Sequence, residues 1–284
     1  MTSRILINRM RHNPFFVTGF IIAALIVLLI ILSPLIVQYD PVQNVLTGKF
    51  LSPEGFKDGL RGHILGTDQL GRDVFTRLLL GGRYSLTIAA AVVILQVLIG
   101  VTLGMLAGYF GGVIDAIIMR ACDVFLAIPV MILAIAVISI LGASMFNLVA
   151  VLTFHGWIYS CKITRNNVRI MKQQEFVHAS VALGAKNWHI MWDQIFPNVT
   201  THIIILSSQR VGLTILIEAA LSFLNVGIQP PIPSWGNMIA AGRQYMTTRP
   251  WLVFAPGIAL MFTVLAFNFL GDGLRDVLDP KRGL

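Results

Sequence analysis

Charged residues are scarce in this sequence. Only 12% of its 284 residues are Asp, Glu, Lys or Arg, whereas soluble domains carry about 25%. Together with a mean hydropathy of +0.79, this scarcity excludes an ordinary soluble domain and indicates a chain that lies largely within a bilayer. The net charge of +8 comes from basic residues that flank apolar runs, as Lys and Arg do at membrane edges, so nucleic acid is not expected as a partner.

The sequence is also poor in groups that carry redox, metal or nucleotide chemistry. Its two cysteines, Cys122 and Cys161, make no disulfide framework and are predicted to be small apolar packing residues. Its six histidines lack the spacing of a metal site, so none is predicted. A phosphate-binding G-x-x-x-x-G-K-[ST] loop is absent from the sequence, so this chain is not expected to bind or hydrolyse ATP.

An intramembrane enzyme would need a catalytic pair at one depth in the membrane, such as two aspartates or a serine with a histidine. Asp123 and Asp272 lie near predicted membrane edges, and Ser139 and His155 have no evident partner. We therefore expect a non-catalytic chain. An intramembrane enzyme and a structural or signalling membrane protein are the alternatives.

Long uncharged runs are what the sequence has in abundance. A helix needs about 20 apolar residues to cross a bilayer. The run Phe15–Val37 is longer than the apolar core of a secretory signal and offers no cleavage site, so it is predicted to be a retained span. Gly142, Ala143 and Ser144 divide a longer run with a turn. The sequence predicts an all-α integral membrane protein with six transmembrane helices, at about 16–37, 85–109, 121–141, 145–162, 203–225 and 251–272.

The distribution of basic residues predicts the orientation. The segment 38–83 nearly balances acid and base, which suits an outer loop, as does 227–250. We predict a cytoplasmic tail 1–14 and one transmembrane domain 15–284, with a cytoplasmic loop 163–202 and both termini cytoplasmic. The basic residues assigned to the inside are Arg4, Arg9, Arg11, Arg120, Lys162, Arg165, Arg169, Lys172, Lys186, Arg275, Lys281 and Arg282.

Three glycines in the second predicted span, Gly100, Gly104 and Gly108, are four residues apart. Glycines at this spacing share one helix face and let another backbone approach closely. The spacing predicts a packing face for a second helix, which lies either in this chain or in another.

Two loops are predicted to be ordered on the outside. In His63–Leu86, Asp73 precedes Arg77 by four residues, which favours a short amphipathic helix with an intrahelical ion pair, lying on the membrane. The proline-rich loop Gln229–Gly236 is rigid. It either seats another protein or serves as a stiff connector.

A basic, water-facing segment, Cys161–His202, interrupts the apolar runs. We predict a helix from Cys161 to Lys172 that continues the fourth span, and a second from Gln174 to Leu183 that Gly184 ends in a left-handed conformation. A third, Asn187–Phe196, is expected to end before Pro197. The second helix has a flat apolar face of small residues, which suits a groove on another protein or, alternatively, a membrane surface.

This segment resembles the coupling loop of binding-protein-dependent ABC importers, whose consensus is E-A-A, three residues, G, nine residues and I-x-L-P. Here the glycine, the first alanine and the proline match as Gly184, Ala179 and Pro197, while His178 replaces the glutamate. Residues 65–86, LGTDQLGRDVFTRLLLGGRYSL, resemble the LGTDxxGRDxxSRxxxGxRxSL signature of the peptide and nickel importers. Residues 222–245 and 267–280 resemble the C-terminal half of the C-type permease in that subfamily.

The resemblance implies a type I ABC importer permease fold in a bacterial inner membrane. It implies a second homologous permease that forms the other half of the pathway, two ATP-binding subunits that hold ATP and Mg, and an extracytoplasmic binding protein. The implied cargo is a peptide or glutathione; nickel or a metal chelate is the alternative. The residues that the resemblance places at the ATPase contact are Glu175, His178, Ala179, Ala182, Leu183, Gly184 and Pro197.

Ionisable residues within spans are functional candidates, because charge in hydrocarbon is costly. Arg210 and Glu218 are eight residues apart on one face of the fifth span, about 12 Å along the axis. They are predicted to face the pathway or the second permease; an intramembrane pair or interface anchors are the alternative. His155 is a candidate ligand for a passing metal complex or a core histidine.

Overall fold

The computed structural model describes residues 3–54 and 62–278, and within them it contains helices and no β-strand. The basic residues Lys281 and Arg282 of the predicted C-terminal tail lie outside the described residues. The helices are, in chain order, α1 Ser3–His12, α2 Pro14–Ile31, α3 Ser33–Ile36, α4 Val74–Phe110, α5 Gly112–Leu126, α6 Val130–Leu141, α7 Met145–Lys172, α8 Glu175–Ala182, α9 Asn187–His189, α10 Phe196–Phe223, α11 Trp235–Gly242 and α12 Trp251–Leu278.

The predicted all-α membrane class is confirmed, but the count of six spans is not. Within the described residues, four stretches are long and apolar enough to cross a bilayer: α2, α4, the continuous stretch Asn187–Phe223, and α12. Helices α5 and α6 together give a fifth candidate, bent by 82°. Helix α7, which contains the predicted span 145–162, has 28 residues but is not among these candidates.

The bend between α5 and α6 corrects the predicted straight span at 121–141. Helix α5 ends at Leu126, and Pro129 caps the start of α6 with φ −58° and ψ 132°. Proline has no N–H to donate, and its ring pushes the preceding residue out of helical geometry. A run that is uniformly apolar is therefore broken by one side chain.

The helices α4 and α7 pack together in parallel along a seam of glycines. A Cβ at Gly104 would lie 2.6 Å from the carbonyl oxygen of Cys161, and one at Gly108 would lie 2.8 Å from that of Arg165. A Cβ at Gly100 would likewise clash with the carbonyl oxygen of Trp157. The predicted glycine face thus meets α7 of the same chain, and both helices end at the same end of the bundle.

The two predicted outer loops fold together at the opposite end of α4. Phe50 and Tyr245 make an edge-to-face contact with ring centroids 4.8 Å apart. Arg77 donates a hydrogen bond of 2.7 Å to the carbonyl of Pro41. We call the described residues of 38–73 and 227–250 the outer cap. At 1.5 Å per residue, the 37 residues of α4 separate the outer cap from segment 163–202 by roughly 55 Å.

Both described termini lie at the end of the bundle that carries segment 163–202. Helices α10 and α12 are antiparallel: Gln209 donates a 3.1 Å hydrogen bond to Asp272, whereas Gly212, one turn later in α10, lies against Val264, two turns earlier in α12. The start of α10 therefore lies beside the end of α12. Gly273 in turn packs against Phe16 in the first turn of α2. The start of α2 and the end of α12 are therefore neighbours.

The predicted ion pair between Asp73 and Arg77 is wrong, and so is the separate short helix. Asp73 is the N-cap of α4: its side chain accepts a 2.7 Å hydrogen bond from the backbone N–H of Thr76 and lies 3.0 Å from His63. Arg77 instead faces Asp68, with 3.7 Å between Nε and Oδ2. A capping side chain turns back onto its own helix end and is not available to the residue four positions on.

Candidate functional site

Helix α8 begins and ends as the sequence predicts. Gln174 precedes it in an extended conformation, and Gly184 follows it with φ +78°. The N–H of Gly184 donates to the carbonyl of Val181, and that of Ala185 donates to the carbonyl of Ser180, both at 3.0 Å. This pair of bonds is a Schellman motif, which satisfies the last carbonyls and stops the helix.

A single apolar side chain anchors α8 to the membrane helices. Val177 is 2% exposed and belongs to a cluster that includes Tyr109 of α4 and Val168 of α7. Around the cluster, Tyr109 Oη donates a 3.0 Å hydrogen bond to Asn187, and Lys172 Nζ donates a 2.6 Å bond to the Tyr109 carbonyl. The α8 segment is thereby held against the ends of α4 and α7.

The rest of α8 faces outward. Apolar side chains around it remain exposed beyond the apolar part of the bundle, including Val181 (56%), Leu183 (88%) and Trp188 (66%). Several exposed apolar side chains within one short segment are typical of a surface that contacts another protein or a membrane. We call the surface formed by 175–188 the α8 surface. The predicted contact residues that lie exposed are Glu175, His178, Ala179, Ala182, Leu183 and Gly184, and Pro197 is exposed at the start of α10.

The chain does not end its helix before Pro197, contrary to the prediction. A π-helical stretch, Ile190–Ile195, carries the backbone from α9 into α10, and Pro197 lies in the first turn of α10. The N–H of Phe196 donates to the carbonyl of Met191, five residues back. The wider turn accommodates the proline, which needs no donor at that position. The α8 surface is therefore joined to α10 without a flexible break.

Residues 100–283 match the family described as binding-protein-dependent transport system inner membrane component. Residues 3–53 match the N-terminal transmembrane domain of oligopeptide transport permease C. The chain belongs to this family of transport permeases. Its members are components of transport systems and not catalysts, and the family's systems depend on a binding protein and an ATPase.

Several named relatives align with most of this permease. This chain is 38% identical over 275 residues to the dipeptide transport system permease protein DppC of Alkalihalophilus pseudofirmus, and the alignment covers 96% of this chain and 88% of the relative. It is 38% identical over 274 residues to the oligopeptide transport system permease protein OppC of Bacillus subtilis, with the same coverage. The glutathione transport system permease protein GsiD of Pectobacterium atrosepticum is 44% identical over 219 residues, 77% of this chain and 73% of the relative.

The ionisable residues predicted for the permease's pathway lie in different surroundings. Glu218 is fully buried and accepts a 2.7 Å hydrogen bond from Ser222. Arg210 stacks its guanidinium over the ring of Tyr159 on α7, 3.7 Å from the centroid. His155 is 9% exposed. In the part of the permease that the structure describes, no group of three His, Cys, Asp or Glu side chains could hold a metal ion.

Sequence reasoning missed two ion pairs, one that joins two helices and one within the outer cap. Arg165 of α7 forms a bidentate pair with Asp115 of α5, and Asp68 accepts a 2.7 Å bond from Nε of Arg72 in the outer cap. The second pair is separated by four residues, so the spacing rule could have identified it. The first is separated by fifty residues and has no local signal.

Proposed function

We propose that this permease is the C-type half of the translocation pathway of an ATP-driven peptide importer, and that the α8 surface is where an ATPase subunit docks. The observation that carries the proposal is an exposed apolar face fixed by Val177 to α4 and α7. A short helix with such a face inserts into a groove on a partner. A second homologous permease completes the pathway, and two ATP-binding subunits hold ATP and Mg.

The cargo proposed is a peptide. The relatives named above transport dipeptides, oligopeptides and glutathione by their names, which favours a peptide over the nickel or metal-chelate alternative. An extracytoplasmic binding protein delivers the cargo to the outer cap, where the loop Gln229–Gly236 is packed against α4: Trp235 Nε1 donates a 2.9 Å hydrogen bond to the carbonyl of Leu78.

Coupling is tested by Ala179→Glu. Ala179 is exposed on the α8 surface, so a glutamate there leaves the fold unchanged but places a bulky charge in the docking groove. We expect peptide uptake by the assembled complex in vesicles to fall roughly tenfold or more, because truncating or blocking a central interface residue costs about 2 kcal/mol. ATP hydrolysis should no longer respond to loaded binding protein.

Gln173→Glu is the matched control, since Gln173 is also exposed in this segment but precedes α8. It adds the same charge and should leave uptake unchanged. Normal uptake by Ala179→Glu would rule out the α8 surface as the docking site. Loss of the protein from the membrane would show a folding defect, which Ala179→Ser at the same position is expected to avoid.

The proposed orientation places the α8 surface and both termini in the cytoplasm of a bacterial inner membrane. It is tested with single cysteines, since Cys122 and Cys161 are buried and free. In intact spheroplasts, an impermeant maleimide should label Thr248→Cys in the outer cap. Gln173→Cys should be labelled only after permeabilisation. The opposite pattern would invert the proposed topology.

A further inference from the structure

Arg210 places a positive charge midway along α10. It lies about 20 Å from either end of α10 at 1.5 Å per residue. Tyr159, whose ring it covers at 3.7 Å, lies equally far along α7. Tyr159 nevertheless precedes Lys162, at the start of the water-facing segment, by only three residues, and Gln209 beside Arg210 bonds to Asp272 near the end of α12. Both side chains therefore lie about one to two helical turns inside the end of the bundle that carries segment 163–202.

Arg210 lacks a carboxylate partner of the kind that two basic side chains of α7 have. Arg165 pairs with Asp115, and Lys162 Nζ lies 3.0 Å from Asp123. Among the residues that the structure describes, no carboxylate lies within ion-pair distance of Arg210. Glu218 does not serve, because it is fully buried and bonded to Ser222. Charged residues within spans mark substrate pathways or partner contacts, and any anion that pairs with this guanidinium comes from outside the described residues.

The geometry leaves most of the hydrogen-bonding edge of the guanidinium available. Stacking on Tyr159 uses one face of the planar group, and the Tyr159 hydroxyl takes one N–H donor. The other N–H donors lie in the plane and form a fork that matches a carboxylate in bidentate fashion. Tyr159 is 39% exposed on this chain, so the surface shared by α7 and α10 is open at this point. A carboxylate can reach Arg210 without displacing the ring.

We propose that Arg210 is a binding residue for the α-carboxylate of the peptide in transit, with Tyr159 holding its guanidinium in place. The inference rests on the proposed peptide cargo, and it names the group on that cargo which this chain recognises. Every linear peptide with a free C-terminus carries such a carboxylate whatever its side chains, so one arginine serves a broad range of peptides.

The test compares alanyl-alanine with alanyl-alanine amide, in vesicles that contain the full complex, for the native chain and for Arg210→Gln. Any preference of the binding protein for the acid is the same in both complexes, so the change in the acid-to-amide uptake ratio reports the coupling between Arg210 and the carboxylate. We expect the ratio to fall at least about tenfold in Arg210→Gln, as for a lost hydrogen bond to a charged group. Arg210→Lys should retain part of the preference.

Arg120→Gln is the matched control, because Arg120 is exposed on α5. It should leave the ratio unchanged. An equal ratio in the native and Arg210→Gln complexes overturns the proposal, and if that variant also fails to co-purify with the second permease, the anion is a carboxylate of that subunit. Stimulation of ATP hydrolysis by loaded binding protein is measured in parallel. Uptake of neither compound by the native complex, with that stimulation intact, contradicts the peptide cargo itself and this inference with it.

Discussion

Gly104→Ala is expected to destabilise the permease strongly, although it adds only one methyl group. The added Cβ would lie 2.6 Å from the carbonyl oxygen of Cys161 and 2.8 Å from Cβ of Thr164. The first of these atoms is backbone in the middle of α7, so it cannot rotate away. The helices must separate, and overpacking of this kind costs typically about 1–3 kcal/mol or more. Combining Gly104→Ala with Gly100→Ala extends the clash by one helical turn and should prevent the protein from folding.

Gly257→Ala is the control for the substitution itself. Gly257 also lies within a transmembrane helix, α12, and a Cβ there would meet no atom within 4 Å. Alanine is the better helix former by about 1 kcal/mol, so this variant should be as stable as the native chain or slightly more so. The measurement is Tm in detergent by fluorescence-detected size exclusion. A Tm for Gly104→Ala equal to that of Gly257→Ala would contradict the close α4–α7 packing.

The glycine seam shows what a sequence pattern can and cannot specify. A spacing of four places Gly100, Gly104 and Gly108 on one face and predicts close approach, because that follows from helix geometry alone. The identity of the neighbour does not follow, since α7 begins 35 residues after α4 ends. Helix α8 was predictable because its signals are also local: Gly184 and the small residues Ala179 and Ala182 lie within a few positions of one another.

The two proline errors have a common physical origin. Pro129 and Pro197 carry the same local penalty, the missing N–H. At Pro129 the chain bends by 82°, whereas at Pro197 it continues through a π-helical turn into α10. The difference depends on packing around Ile190, Met191 and Ile195, which belong to the cluster that also holds Val177. A rule read from the sequence has no access to that cluster.

The second large effect is expected from Asp68→Ala in the outer cap. The carboxylate of Asp68 accepts bonds from the backbone N–H of Leu70 (2.8 Å) and from Arg72 Nε (2.7 Å), and it faces Arg77. The side chains of Arg72 and Arg77 are only 7% and 6% exposed. Removing the acid leaves two buried guanidinium groups without their anion, and breaking a buried pair in this way costs about 3–5 kcal/mol.

The loss of Asp68 is expected to impair transport, because Arg77 connects the two loops of the outer cap. It donates to the carbonyl of Pro41 in the first outer loop and, more weakly at 3.5 Å, to that of Pro231 in the second. Once Arg77 loses Asp68, both loops lose their shared support at the surface where the binding protein is proposed to dock. We expect Asp68→Ala to abolish peptide uptake and to lower Tm, while the α8 surface, roughly 55 Å away along α4, keeps its contact with the ATPase.

Burial, and not the mere presence of an ion pair, is what makes this effect large. The pair Lys162–Asp123 has a similar separation of 3.0 Å, but its side chains are 38% and 57% exposed. Exposed pairs contribute about 0–1 kcal/mol, so Asp123→Ala should change Tm little. Asp68→Asn retains a hydrogen-bond acceptor without the charge, so its Tm should lie between those of Asp68→Ala and Asp123→Ala. If Asp68→Ala and Asp123→Ala lowered Tm equally, the outer cap would not depend on its buried charges, and its fold would have to rest on the apolar contact between Phe50 and Tyr245.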